Sequence, residues 1–160
     1  MTMARRPAAL ARRRSRGVAS VEFAITATLL VTLLLGASEF GRAMFQFDTV
    51  VKGARSASRY LSQYQAGDPA AIAAARNIVV CGSISSCATP LVPGLTTAMV
   101  TVCDAASCPA THQRQSTGAS TVNLVSVTIA GLQFQPMASW IVSSFTFGTI
   151  VATMTQGPGE

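Results

Sequence analysis

The sequence predicts an α+β protein in which a long N-terminal helix packs on a small antiparallel β-sheet domain. An uncharged apolar run at residues 23–38 is followed by a helical repeat of apolar positions that reaches residue 61. From residue 78 onward Ser, Thr, Gly, Pro and β-branched residues predominate, a composition that favours strands and turns. We therefore expect a helix whose first half crosses a membrane and whose second half lies on a β-rich domain.

Basic residues are concentrated before the apolar run. Six of the twelve Lys and Arg residues lie in the first sixteen positions, and the other six are matched by six acidic residues. Because Lys and Arg flanks stay in the cytoplasm, we expect a single-pass protein of the bacterial inner membrane with a periplasmic C-terminal domain. The basic tail contains no aromatic residue, which argues against binding to nucleic acid.

The predicted transmembrane segment is 18–39. The charge-free residues 23–38 alone would span about 24 Å, slightly short of a ~30 Å hydrocarbon core, so the preceding residues are needed to complete the crossing. This places Glu22 at the membrane edge, where an unpaired carboxylate costs a few kcal/mol and requires an explanation. Beyond the transmembrane segment, an amphipathic helix is expected over 40–66. Glu39 is expected to pair with Arg42. The predicted apolar seam is Phe40, Met44, Phe47, Val51, Ala54, Ser58 and Leu61.

The exported domain is predicted to occupy residues 67–160. Asp68 and Pro69 are typical of a helix start, here of a short helix of about two turns. Residues 133–145 are expected to form a short apolar helix after Pro136 that packs on the core or a partner, with a position on the membrane surface as the less favoured alternative. Strands are expected over 98–103, 122–129 and 146–155. A mobile loop is expected over 104–121.

Four cysteines lie in the exported domain, and in that compartment they favour disulfides. We favour the local pairs Cys81 with Cys87 and Cys103 with Cys108, among the three pairings that four cysteines allow. Neither spacing is the C-x2-C of a common zinc site, and His112 is the only histidine. No metal or cofactor is therefore predicted.

The junction between the basic tail and the apolar run resembles the processing site of type IV prepilins, which a membrane peptidase cuts after a glycine, leaving glutamate at the fifth mature position. If Gly17 is that glycine and Val18 the first mature residue, Glu22 is the fifth. About a third of the chain, from Gly17 through the Ala/Arg-rich segment 53–60, is similar to the TadE-like family, the minor pseudopilins of tight-adherence (Tad/Flp) pili. The matching motifs are Val21-Glu22-Phe23-Ala24 and Glu39-Phe40-Gly41-Arg42.

The resemblance implies a pilin-like fold and a structural role in the assembly of a Tad/Flp pilus, which serves adhesion, surface colonisation and biofilm formation. It implies that residues 1–17 are a leader removed by a prepilin peptidase, and that Glu22 and Phe23 contact other subunits. Gly17 would break the helix locally and keep the scissile bond accessible. The implied partners are that peptidase, the major Flp pilin, other TadE-like minor pilins, the inner-membrane assembly platform and membrane lipid.

Two other functions remain open from the sequence. The chain could be an uncleaved, signal-anchored periplasmic binding or adhesion domain in which Glu22 is incidental. It could also be a soluble protein cut by signal peptidase near residue 37, which is disfavoured because Leu35 is large for the −3 position. Catalysis is not expected, because the sequence offers no Ser/His/Asp set and no glycine-rich phosphate loop.

Overall fold

The first element of the structure is one uninterrupted helix. The computed structural model describes residues 14–85 and 87–157. Helix α1 runs Arg14–Leu61 over 48 residues, so the predicted span and its continuation form one rod of about 72 Å at 1.5 Å per residue. Most of the predicted leader, residues 1–13, lies outside the described residues.

Burial divides α1 at Glu39. None of residues 17–38 is buried, and Glu39 is the first buried position along the helix. From there, buried positions recur in steps of three and four, as one face of a helix requires. They include Glu39, Ala43, Gln46, Val50, Ala54, Ala57 and Leu61. The domain therefore packs only on the second half of α1.

The predicted seam is correct at its C-terminal end and wrong at its N-terminal end. Ser58 and Leu61 are buried, but Phe40 and Met44 are 68% and 47% exposed. There the buried positions lie one residue earlier in the sequence than the predicted ones, because the domain binds Glu39, a polar residue. The helix also ends at Leu61 rather than at residue 66.

Helix α2, Pro69–Cys81, lies against α1. As predicted, Asp68 caps it, its Oδ1 accepting from the Ala70 and Ala71 N–H groups at 2.8 and 3.3 Å. It is longer than the expected two turns, because residues 78–81 continue the helix instead of beginning the strand-rich region. Gly53 lets the two helices approach closely, since a Cβ there would lie 3.1 Å from the Val79 carbonyl oxygen.

A four-stranded antiparallel sheet completes the core. Its central strand is β3, which pairs with β1 over residues 126–129, with β6 over residues 123–129 and with β2 at its start. A separate two-stranded ribbon joins β4 and β5. The strands are β1 Val100–Cys103, β2 Gln115–Ser116, β3 Thr121–Ile129, β4 Gln133–Phe134, β5 Phe145–Thr146 and β6 Ile150–Gln156; a 3₁₀ turn, Thr97–Met99, precedes β1, and helix α3, Pro109–His112, lies between β1 and β2.

The strand predicted at 122–129 is confirmed, and one face of it is apolar and buried. Val125, Val127 and Ile129 are each at most 1% exposed and belong to the same core as the buried residues of α1 and α2. Alternate residues of an extended strand share one face, and this face of β3 joins Val100 and Val102 of β1 and Ile150 of β6 on the sheet side of the core. Helix α1 packs on β3 and β6, and α2 packs on β1.

Two segments of the domain differ from prediction. Residues 133–145 form the β4–β5 ribbon and a turn rather than a helix. Part of this segment is buried and part is exposed: Phe134 is 1% exposed, whereas Trp140 is 73% exposed. Residues 104–121 were expected to be a mobile loop, but this segment begins with the buried, multiply hydrogen-bonded Asp104 and includes α3 and β2.

Candidate functional site

The processing-site residues lie on the exposed start of α1. The helix begins at Arg14 and continues through Gly17 and Val18, so the predicted local break at Gly17 is wrong. A single glycine lowers helix stability by only about 1 kcal/mol relative to alanine, which its helical neighbours can offset. A Cβ at Gly17 would meet nothing within 4 Å. The Gly17–Val18 bond is therefore free of packing by any described part of the chain.

Glu22 and Phe23 follow on the same exposed helix. Phe23 is 74% exposed, and Glu22 is exposed as well. Among residues 17–85 and 87–157, no group donates a hydrogen bond to the Glu22 carboxylate. An apolar ring and a carboxylate are thus displayed side by side, and the domain covers neither.

The rest of the apolar segment has the properties of a membrane span. The helix is long and apolar enough to cross a bilayer, and its apolar window has no buried residue. Two of its threonines satisfy their hydroxyls internally: Thr28 donates to the Ala24 carbonyl at 2.8 Å and Thr32 to the Thr28 carbonyl at 2.9 Å. Hydroxyls bonded in this way leave few polar groups that need water, which suits a hydrocarbon environment.

At the end of the apolar segment, Glu39 joins the helix to the domain. Its Oε1 accepts from the backbone N–H groups of Met137 and Ala138 at 2.9 and 3.1 Å, and its Oε2 accepts from Arg42 at 2.6 Å. Arg42 also donates to the Gln135 carbonyl at 2.8 Å. We call Glu39, Arg42 and residues 135–138 the junction clamp.

The sequence predicted the pair of Glu39 with Arg42, and the structure confirms it. The sequence did not reveal that this pair binds a loop 98 residues further along the chain. The sequence did contain one signal. Glu39 is a charged residue directly after an apolar run, on a helix that continues, and such a residue needs a partner if protein covers that turn of the helix. Arg42 additionally lies over the Phe134 ring, 5.0 Å from its centre, so the clamp reaches the domain core.

A second carboxylate organises the opposite end of the domain. Asp104 is 2% exposed; its Oδ1 accepts from Ser107 Oγ and from the Ala106 and Ser107 N–H groups, and its Oδ2 from the Gly67 N–H. Burial alone would raise the pKa of Asp104, but these hydrogen bonds to Ser107, Gly67 and Ala106 outweigh it and hold the pKa below its ordinary value. Asp104 thus ties the end of β1 to the turn that precedes α2.

The cysteines form the two local disulfides that the sequence favoured. Cys81 pairs with Cys87 and Cys103 with Cys108, with Cα atoms 5.6 and 5.5 Å apart, within the normal range for disulfides. His112 lies beside the second disulfide, and its Nε2 is 2.7 Å from the Ser126 hydroxyl. Sulfurs that are bonded to each other cannot act as thiolate ligands, so this cluster is structural.

Together these features define a class of protein: a small α+β domain carried on a single apolar helix that is long enough to anchor it in a membrane. Residues 17–59 match the family model described as TadE-like protein, which confirms the resemblance seen in the sequence. The match includes Gly17, Glu22 and Glu39, and it connects the chain with Tad pilus systems. No curated protein and no solved structure matches the chain.

Proposed function

We propose that this chain is a minor pilin or pseudopilin of a Tad/Flp-type pilus, with a structural role in assembly that follows cleavage after Gly17. The observation that carries the proposal is the spacing of Gly17 and Glu22 at the head of an apolar helical segment that the domain leaves entirely uncovered. The TadE-like match, which begins at residue 17, supports it.

The position of Gly17 suits proteolysis. A peptidase must hold its substrate extended, so the helix has to unwind around the scissile bond. An added Cβ at Gly17 would meet nothing within 4 Å, so unwinding there sacrifices no packing on the described domain. Since glycine also contributes about 1 kcal/mol less to helix stability than alanine, α1 opens here at a low free-energy cost.

Cleavage would supply the charge that Glu22 lacks. A carboxylate near the bilayer edge is costly unless it is paired. The new α-amino group of Val18 on a neighbouring subunit would provide the opposite charge, and Phe23, 74% exposed beside it, would provide apolar contact area. Pairing between subunits in this way would fix the register of adjacent helices.

The proposed orientation places the Arg-rich N-terminus in the cytoplasm and the domain in the periplasm. The six arginines of the first sixteen residues and the two disulfides both favour this arrangement. The partners would be the prepilin peptidase, the major Flp pilin, other TadE-like minor pilins and the inner-membrane assembly platform. The assembled role would be in adhesion and surface colonisation.

Intact-mass spectrometry of the protein from membranes, with and without the cognate prepilin peptidase, tests the proposal. We expect a peptidase-dependent loss of residues 1–17 that a Gly17→Leu substitution abolishes. Gly41→Leu is the matched control, because Gly41 is also an exposed glycine of α1 at which an added Cβ would meet nothing within 4 Å. It should be processed like the wild type.

A full-length chain in every sample would contradict the proposal and favour the second function, an uncleaved signal-anchored binding or adhesion domain. If cleavage occurs, Glu22→Gln separates processing from assembly. We expect the cleaved variant to accumulate in the membrane and to be depleted from sheared pili, since it keeps the scissile bond and loses the charge.

A further inference from the structure

The loop of residues 135–142, here the junction loop, lies at the end of the domain nearest the membrane span. Its Met137 and Ala138 N–H groups bind Glu39, which is the first buried residue of α1 after the fully uncovered segment 17–38. The 21 residues from Val18 to Ser38 rise about 32 Å, close to the thickness of the hydrocarbon core. If the segment spans the bilayer as proposed, Glu39 and the loop bound to it lie at the outer hydrocarbon boundary.

The junction loop exposes large apolar side chains at this level. Met137 is 84% exposed and Trp140 is 73% exposed, whereas the neighbouring Ala138 is buried. On α1 itself, within two turns of the boundary, Phe40 and Phe45 are 68% and 71% exposed. No charged residue occurs anywhere between residues 131 and 149.

Part of the backbone of this loop is hydrogen-bonded within the protein. Besides the two N–H groups that bind Glu39, the Gln135 carbonyl accepts from Arg42, and the Ile141 and Val142 N–H groups both donate to the Ala138 carbonyl at 2.9 and 3.2 Å. Each backbone group paired in this way costs little to bring to the membrane interface, and any other polar group of the loop can bond there to water or lipid headgroups. Exposed apolar side chains on such a loop are costly in water and favourable in lipid.

We propose that the junction loop is a membrane-interface anchor, in which Met137 and Trp140 insert among the lipid headgroups and upper acyl chains of the outer leaflet beside α1. Tryptophan is enriched at that depth because its ring is apolar and its indole N–H still reaches polar groups. The occupant is lipid because the patch is continuous with the membrane-facing surface of the helix. The inference rests on the proposed anchoring of α1 in the membrane, and it makes Glu39 the residue that sets the height of the domain above the bilayer.

The chain provides its own probe, since Trp140 is its only tryptophan. The full-length protein is placed at one copy per nanodisc of phosphatidylethanolamine and phosphatidylglycerol, with bromine carried either high or low on the acyl chains. We expect a blue-shifted Trp140 emission and about a twofold loss of intensity with the shallow bromines, as for a tryptophan at the headgroup boundary. The deep bromines should quench it less.

Two single-tryptophan variants calibrate the measurement, both in a Trp140→Phe background. Tyr64→Trp reports from beyond Leu61, about 33 Å along α1 from Glu39, and should be insensitive to either brominated lipid. Leu30→Trp reports from within the span and should be quenched most by the deep bromines. If Trp140 behaves like Tyr64→Trp while Leu30→Trp is quenched, the span stands and the junction-loop anchor is overturned.

Two further outcomes are also decisive. If Leu30→Trp is not quenched either, the membrane anchoring itself fails, and both proposals fall. If Trp140 becomes shielded only when two copies share a nanodisc, its partner is a second copy of the chain, and the lipid proposal is overturned.

Discussion

The two halves of α1 obey opposite rules of burial. In residues 17–38 large apolar side chains such as Phe23 and Leu34 are 74% and 68% exposed, and no described position is buried. In residues 39–61 the buried positions are occupied mainly by small residues, including Ala54 and Ala57 at 0% exposure. One continuous helix thus presents a surface made for lipid and then a surface made for close protein packing.

This difference explains why a single hydrophobicity pattern could not describe the whole helix. In water, large apolar side chains turn inward, and the periodicity of a sequence reveals the buried face. Near a membrane, large apolar residues face outward and small or polar residues make the protein contacts. Phe40 and Glu39, adjacent at the boundary, follow the second rule, which is the reason that the predicted seam fails there.

The largest effect should come from Glu39, the glutamate at the start of the packed half. Glu39→Ala leaves the Met137 and Ala138 N–H groups without their acceptor and removes the carboxylate partner of Arg42, so the free energy of unfolding of the domain should fall more than in any variant below. This change is measured by urea unfolding of the full chain in detergent micelles. Resistance of the domain to protease monitors the unfolding.

Glu22→Ala is the control for that measurement, since it removes the same side chain from a position without a described contact to the domain. The stability of the domain should not change in this variant. Equal losses in the two variants would contradict the division of α1 at Glu39, because they would mean that the first half also supports the domain.

A pair of glycines tests the same division through steric fit. Gly53→Leu places a side chain against the Val79 carbonyl, where even a Cβ would lie at 3.1 Å, and should destabilise the domain by about 2 kcal/mol by separating α1 from α2. Gly36→Leu, with nothing within 4 Å, should leave the urea midpoint unchanged. A neutral Gly53→Leu would show that the two helices can move apart without loss.

The elements with strong local signals were predictable from the sequence. The Asp68 cap, the strand Thr121–Ile129 with its apolar face, the long helix and the pairing of Glu39 with Arg42 each follow from residues close together in the chain. The local disulfides were favoured for the same reason, since each closes a short loop. The processing function of Gly17 and Glu22 stays a prediction.

The parts that failed depend on contacts between distant segments. Residues 133–145 read as a short apolar helix, but Phe134 pairs with Phe145 in the ribbon and the backbone beyond it binds Glu39. Asp104 read as one residue of a polar loop, and only the fold brings Gly67 to its carboxylate. Neither partner can be found from local composition, because the contacts span 98 and 37 residues.

The smallest effect concerns the turn before α2, which Asp104 ties to the end of β1. Asp104→Asn keeps the acceptor oxygen for Ala106 and Ser107 but loses the one that binds Gly67, so the stability of the domain at neutral pH should fall by about 1.5 kcal/mol. Because folding lowers the pKa of Asp104, its contribution is present at neutral pH and is lost as the pH falls through the folded-state value.

The difference in urea midpoint between the wild type and Asp104→Asn should therefore be constant near neutrality and shrink below about pH 4, where an unfolded aspartate begins to bind its proton. Asp48→Asn, which removes the same charge from an exposed position on α1, is the matched control for the loss of one charge. A gap that stays constant down to the acid limit would mean that Asp104 stabilises the domain through shape alone, and that its charge contributes nothing to holding the turn at Gly67.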